Sequence, residues 1–128
     1  MNCHFERMLG SGSIIVSLVI DEKYKFRMIL DTGCSNTTID SNALYISGYE
    51  MKDKKGDVEI ETANGIVTSE IFEVNQIRTL GISKHNFSIQ VYDFIGHGIF
   101  SNYDGLIGLD FIGEKDFCID WANNIIKL

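Results

Sequence analysis

The sequence predicts an all-β protein, a closed or semi-closed barrel with a single short helix. Three observations point there. Along most of the chain the apolar residues recur with a period of two rather than 3.6. Turn-forming clusters punctuate those runs, at Asp21-Glu22-Lys23, Asn64-Gly65 and Ala122-Asn123-Asn124. The chain is free of repeats and low-complexity tracts, and its 128 residues, 45% hydrophobic and without proline, suit one compact domain over 1–128.

Taken in order, Ile14, Val16, Leu18 and Ile20 alternate with Ile15, Ser17 and Val19. After the polar turn, Tyr24, Phe26, Met28 and Leu30 alternate with Lys25 and Arg27. These are the strands of a hairpin whose second member runs into Asp31. Residues 38–50 are mixed and fit a short helical turn and a loop, and the charged stretch 52–55 reads as an exposed loop tip. From Asp57 to Phe72 a second hairpin turns at Asn64-Gly65, where both residues tolerate positive φ. Phe87, Ile89 and Val91 mark another strand. Residues 94–103 form a glycine-containing loop, and Gly105-Leu106-Ile107-Gly108 is a short buried strand. Asp110 is placed to cap a turn of helix over Phe111 to Glu114. A third hairpin joins Phe117–Trp121 to Ile125–Leu128.

The formal net charge of -7 and pI near 4.8 argue against nucleic acid and anionic membrane as partners. The three cysteines, Cys3, Cys34 and Cys118, are odd in number and widely spaced, which argues against a disulfide framework or zinc knuckle and for a reducing compartment. The first ten residues lack a basic segment followed by an apolar one, and no apolar run is long enough to cross a bilayer. A cytoplasmic location is the expectation.

The chemistry concentrates at Leu30-Asp31-Thr32-Gly33-Cys34-Ser35-Asn36-Thr37. An apolar strand delivers a carboxylate into a tight turn. Thr32 can hydrogen-bond locally or across to a partner, Gly33 lets the chain turn sharply and presents its N–H, and Ser35 adds a hydroxyl. One such carboxylate is a poor hydrolase. Two facing each other share a proton, so that one activates water while the other polarises a carbonyl. The chain contains one D-T-G and no second copy, Tyr103-Asp104-Gly105 being the nearest look-alike without the hydroxyl residue. The partner carboxylate is therefore expected from Asp31 of a second chain across a two-fold axis.

At these residues the sequence resembles the retropepsin-like aspartic proteases, and the likeness covers nearly the whole chain. The hairpin entering L-D-T-G-C-S-N-T is similar to the family's strand into its catalytic loop. V-E-I-E-T-A-N-G-I-V-T is similar to the flap that closes over substrate, and D-G-L-I-G-L-D-F-I to the segment packed behind the catalytic loop. The ending F-C-I-D-W-A-N-N-I-I-K-L resembles cellular and bacterial members more than viral ones. The resemblance implies the acid-protease barrel and a homodimeric aspartic endopeptidase acting on peptide or protein substrates. Asp31, Thr32 and Gly33 would take the catalytic roles, and Thr62, Ala63, Asn64 and Gly65 the flap tip. Asp110 would be a structural helix-start residue. Val58, Ile60, Ile66 and Leu30 are candidate neighbours of the side-chain pockets. No metal or organic cofactor is implied. Cys34 stands where the family usually has alanine.

Other readings of the same residues remain open. Asp31 could be a turn aspartate at a strand end. Cys34 could be a nucleophile with His85 or His97 as base, although no local pattern orients such a pair. His97, in Gly-His-Gly, could bind a metal but has no second ligand at a suitable spacing. Trp121 reads as core or dimer interface. At the level of the whole protein, the alternative is a catalytically silent, dimeric peptide-binding or scaffolding module of the same fold.

Overall fold

The computed structural model describes residues 1–63, 65–99 and 101–128, with Thr62 by its backbone. The strands are β1 (Asn2–His4), β2 (Glu6–Arg7), β3 (Ile14–Ile20), β4 (Tyr24–Leu30), β5 (Thr38–Asp40), β6 (Gly56–Thr62), β7 (Gly65–Thr79), β8 (Ile82–Tyr92), β9 (Gly105–Ile107), β10 (Cys118–Asp120) and β11 (Ile125–Lys127). Two short helices, α1 (Ser41–Ile46) and α2 (Leu109–Ile112), accompany them, with single 3-10 turns at Met51–Asp53 and Ile95–His97.

The alternating residues of the first hairpin behave as their period requires. Leu18 pairs with Phe26 and Val16 with Met28, and all of these are buried together with Ile20 and Leu30. At the tip, Asp21 and Glu22 adopt φ of 53° and 58°, the left-handed turn that suits the twist of paired strands. The Asp21 backbone N–H donates to Gln76 O at 2.9 Å, which ties the tip to β7.

The main sheet runs β2-β3-β4-β9-β5-β8-β7-β6. β3 also pairs with the far end of β7, at Leu18↔Thr79, Val19↔Arg78 and Ile20↔Ile77. The order β3-β4-β9-β5-β8-β7 therefore returns to β3, and the sheet closes into a barrel. Its interior holds Leu18, Ile20, Met28, Ile39, Phe72 and Ile107. A separate sheet, β1-β11-β10, packs Ile126 into the same core.

Four features depart from the sequence reading. Two short helices, α1 and α2, stand where one was expected. β7 does not stop at Phe72 but continues to Thr79 and turns through Leu80-Gly81 into β8, so residues 73–86 belong to one long hairpin. α2 begins at Leu109 rather than Phe111, with Gly108 as its N-cap residue, and Asp110 lies inside its first turn. Trp121 is not a core residue. It is 47% exposed, lies against Phe5 and carries the Arg7 guanidinium 3.8 Å above its ring.

Candidate active site

β4 pairs in parallel with β9, and that pairing aims the loop at its end. The Asp31 N–H donates to Ile107 O at 3.0 Å, one step beyond the ladder. The chain then turns tightly. The Cys34 N–H donates to Asp31 O at 3.1 Å, and the Gly33 N–H donates to the Asp31 carboxylate at 3.0 Å. A side chain at position 33 would bring its Cβ to 3.3 Å from that same oxygen, so glycine leaves the carboxylate its room. Asp31 is half-buried, while Thr32 and Gly33 are exposed.

Behind this loop stands α2. The N–H groups of Leu109 and Asp110 donate to the carbonyls of Cys34 and Ser35 at 2.9 and 3.2 Å. Asp110 Oδ1 accepts from the N–H and hydroxyl of Thr37 at 2.9 and 2.8 Å. The Gly108 N–H donates to the same Thr37 hydroxyl at 3.2 Å. Contact at Gly108 is close enough that an added Cβ would meet the backbone of Asn36 at 2.7 Å. Sequence reasoning missed Thr37. Its place four residues after Gly33 and the carboxylate at 110 were the available signal.

Two other carboxylates, Asp104 of the look-alike Tyr103-Asp104-Gly105 and Asp110 of α2, are both engaged elsewhere. Asp110 clamps Thr37 as described. Asp104 Oδ2 accepts from the Arg27 N–H at 2.9 Å, and the Asp104 N–H donates to Arg27 O at 2.7 Å, which seals the start of β9 against β4.

Over the loop lies the β6–β7 hairpin. Thr62 pairs with Gly65, whose φ of 110° suits glycine, and Ala63 lies in the turn; Asn64 lies outside the described residues. Between hairpin and loop is a cleft of about 530 Å³. Val58, Ile60 and Val67 line its roof and Gly33 to Asn36 its floor. Tyr92, Phe94 and Tyr103 form an aromatic wall that the sequence reading did not anticipate, with Phe94 edge-on to both tyrosines. Two expected pocket neighbours are placed differently. Leu30 is buried in the barrel core, and Ile66 is 69% exposed, paired with Glu61 on the face opposite Ile60 and Val67.

Cys34 is half-buried and tied to its own loop. Its thiol donates to Asn36 O at 2.9 Å. Burial pushes its pKa up, hydrogen bonding by the Asn36 backbone to the thiolate form pulls it down, and the Asp31 and Asp110 carboxylates push it up further. His97 stacks on Tyr92 at 4.1 Å between centroids, and its Nδ1 lies 2.7 Å from Asp93 O. His85 is an exposed residue of β8 opposite Gln76. Neither histidine is hydrogen-bonded to Cys34 among the described residues.

Comparison with known proteins agrees with this architecture. The family model for aspartyl protease matches residues 16–111, from β3 through the first turn of α2. No curated protein matches the sequence. Among solved structures, the chain is similar to a retropepsin-like aspartic protease from Rickettsia conorii, with a TM-score of 0.71 and 19% identity over 98% of this chain and 88% of that one. At that identity the likeness is one of fold, and the fold is retropepsin-like. The matched segment contains the D-T-G loop, the hairpin above it and the helix behind it, and the chain belongs to the aspartyl protease family.

Proposed function

We propose that this chain, as one domain over residues 1–128, is a homodimeric aspartic endopeptidase whose site takes one Asp31 from each of two copies. The observation that carries the proposal is the placement of the carboxylates. Asp31 heads the turn whose residues Gly33 to Asn36 floor the cleft, and that turn donates to its carboxylate, whereas Asp104 and Asp110 are committed to structural bonds. Thr32 and Gly33 are exposed beside Asp31, and in the proposed dimer a second copy would cover them.

In such a dimer the two Asp31 groups cannot both ionise, so they hold one proton between them. The ionised carboxylate takes a proton from water, and the resulting nucleophile attacks the scissile carbonyl. The protonated carboxyl polarises that carbonyl and then supplies a proton as the amine departs. A peptide would lie extended under the flap hairpin, its backbone adding to a strand and its apolar side chains entering the space beside Val58, Ile60 and Val67. Thr62, Ala63, Asn64 and Gly65 would close over it.

The test is cleavage of a diverse peptide library across pH by the purified chain, beside Asp31→Ala. Cleavage by wild type alone supports the reading. Equal cleavage by both, or none by wild type at any pH, overturns it, and the latter leaves a peptide-binding module of the same fold.

A further inference from the structure

Lys84 lies on β8, outside the cleft and far from the D-T-G in sequence. Its ammonium donates to Phe111 O at 2.5 Å and lies 3.5 Å from Asp110 O. It also lies 4.8 Å from the centroid of the Phe111 ring and 5.3 Å from that of Phe87, and those rings meet edge to face at 5.4 Å. Lys84 is half-buried, and among the described residues no carboxylate pairs with it. Its charge is satisfied instead by two carbonyls and two ring faces.

Those carbonyls belong to α2, which is a single turn. A helix that short does not persist by its own hydrogen bonds. Its leading N–H groups and the Asp110 carboxylate are bound to residues 34–37, as described above. At its other end Asp110 and Phe111 have no following turn to satisfy their carbonyls. Lys84 supplies the missing donor and places positive charge at the negative end of the turn. Since β8 is paired along its length with β7, the ammonium fastens α2 to the barrel wall.

We propose that Lys84 is a positioning residue for the catalytic loop. It pins α2 to β8, and α2 in turn holds the backbone of Cys34, Ser35 and Thr37 and so the direction of Asp31. The proposal rests on the reading of Asp31 as the catalyst. Lys84 touches no reacting atom, so its effect falls on the placement of Asp31, where small displacements are costly in rate.

The experiment compares the full chain with Lys84→Met, which keeps the stem and loses the charge, and Lys84→Arg, which restores a donor. Each is measured well below its own melting transition. Amide hydrogen exchange is followed in residues 31–37 and 108–112, with β3–β4 as an internal reference, and kcat and KM are read on fluorescein-labelled casein. The expected result is about tenfold faster exchange in both segments of Lys84→Met with the reference strands unchanged, about a tenfold lower kcat at similar KM, and recovery of both in Lys84→Arg. If Lys84→Met does not fold, Lys84→Gln, which keeps an uncharged NH2 donor group on a shorter stem, carries the same comparison. Unchanged exchange in 31–37 overturns the proposal whatever happens to cleavage, and so does faster exchange with kcat intact. If wild type cleaves neither casein nor any peptide of the library, the proposed function fails, while the exchange comparison still decides whether Lys84 holds the loop.

Discussion

One carboxylate oxygen, Asp110 Oδ1, accepts two hydrogen bonds from Thr37, one from its backbone and one from its hydroxyl. Thr37 is 1% exposed, so water cannot replace either bond. Asp110→Ala should therefore lower the unfolding free energy by about 3 kcal/mol, while Asp110→Asn, which keeps an acceptor oxygen, should cost about 1 kcal/mol. Urea denaturation measures both. Equal losses would mean that the acceptor oxygen is not what the fold uses.

A shared site predicts interference between subunits. When wild type is mixed with Asp31→Asn and the subunits exchange, only pairs of wild-type chains should cleave, and activity should follow the square of the wild-type fraction. An equal mixture then retains about a quarter of full activity, against about a half for independent sites. Exchange is verified with a mass-tagged variant. A linear response after verified exchange would place a complete catalyst within each chain.

The raised pKa of Cys34 predicts a sluggish thiol. Burial, with Asp31 and Asp110 nearby, disfavours the thiolate, so at neutral pH little of the reactive form exists. Iodoacetamide should label the exposed Cys118 well before Cys34, as read by peptide mapping. Cys34→Ala should keep far more activity than Asp31→Ala. The reverse order of activities would make the thiol the nucleophile.

Tyr49 predicts an alkaline limit to stability. Its hydroxyl donates to Asp21 Oδ2 at 2.8 Å and accepts from the Asn75 N–H at 2.9 Å. Burial first, and the Asp21 carboxylate beside it, push the phenol up to about 12, against the pull of the Asn75 bond. With the folded pKa above the unfolded value of about 10, the unfolded chain ionises first. The contribution is complete below about pH 10 and drains away between about 10 and 12. Tyr49→Phe should flatten this part of the stability profile and cost about 1–3 kcal/mol at neutral pH. An unchanged alkaline slope in the variant would assign the effect to another group.

What the sequence displayed was local. The hairpin from Ile14 to Leu30, the turn at Asn64-Gly65 and the strand at Gly105–Ile107 each carry their periodicity and turn chemistry within a few residues. The stretch from Glu73 to Asn86 was opaque for a physical reason. Its buried positions run Phe72, Val74, then Ile77, Thr79, so the inward face changes phase in mid-strand. The change falls where the β7–β8 register passes over Asn75 and Asn86, the latter at φ 52°. The turn after it places Leu80 at φ 55°, a position where turn chemistry favours glycine or asparagine. The same limit applied to the site. Asp31 and its turn are contiguous, whereas Thr37, Lys84 and the aromatic wall acquire their roles only through contacts between distant segments.

Strand β6 ends the order of the main sheet, so the segment that would receive a peptide also presents an edge by which copies of the chain could stack. Glu59 and Glu61 are exposed along that edge. Their mutual repulsion between copies would oppose self-stacking while leaving an uncharged backbone free to add. Substrate access and solubility are then two demands on one strand, and charge is what separates them. Glu59→Gln with Glu61→Gln would remove the safeguard, and light scattering on concentration would register it as aggregation before any change in the barrel.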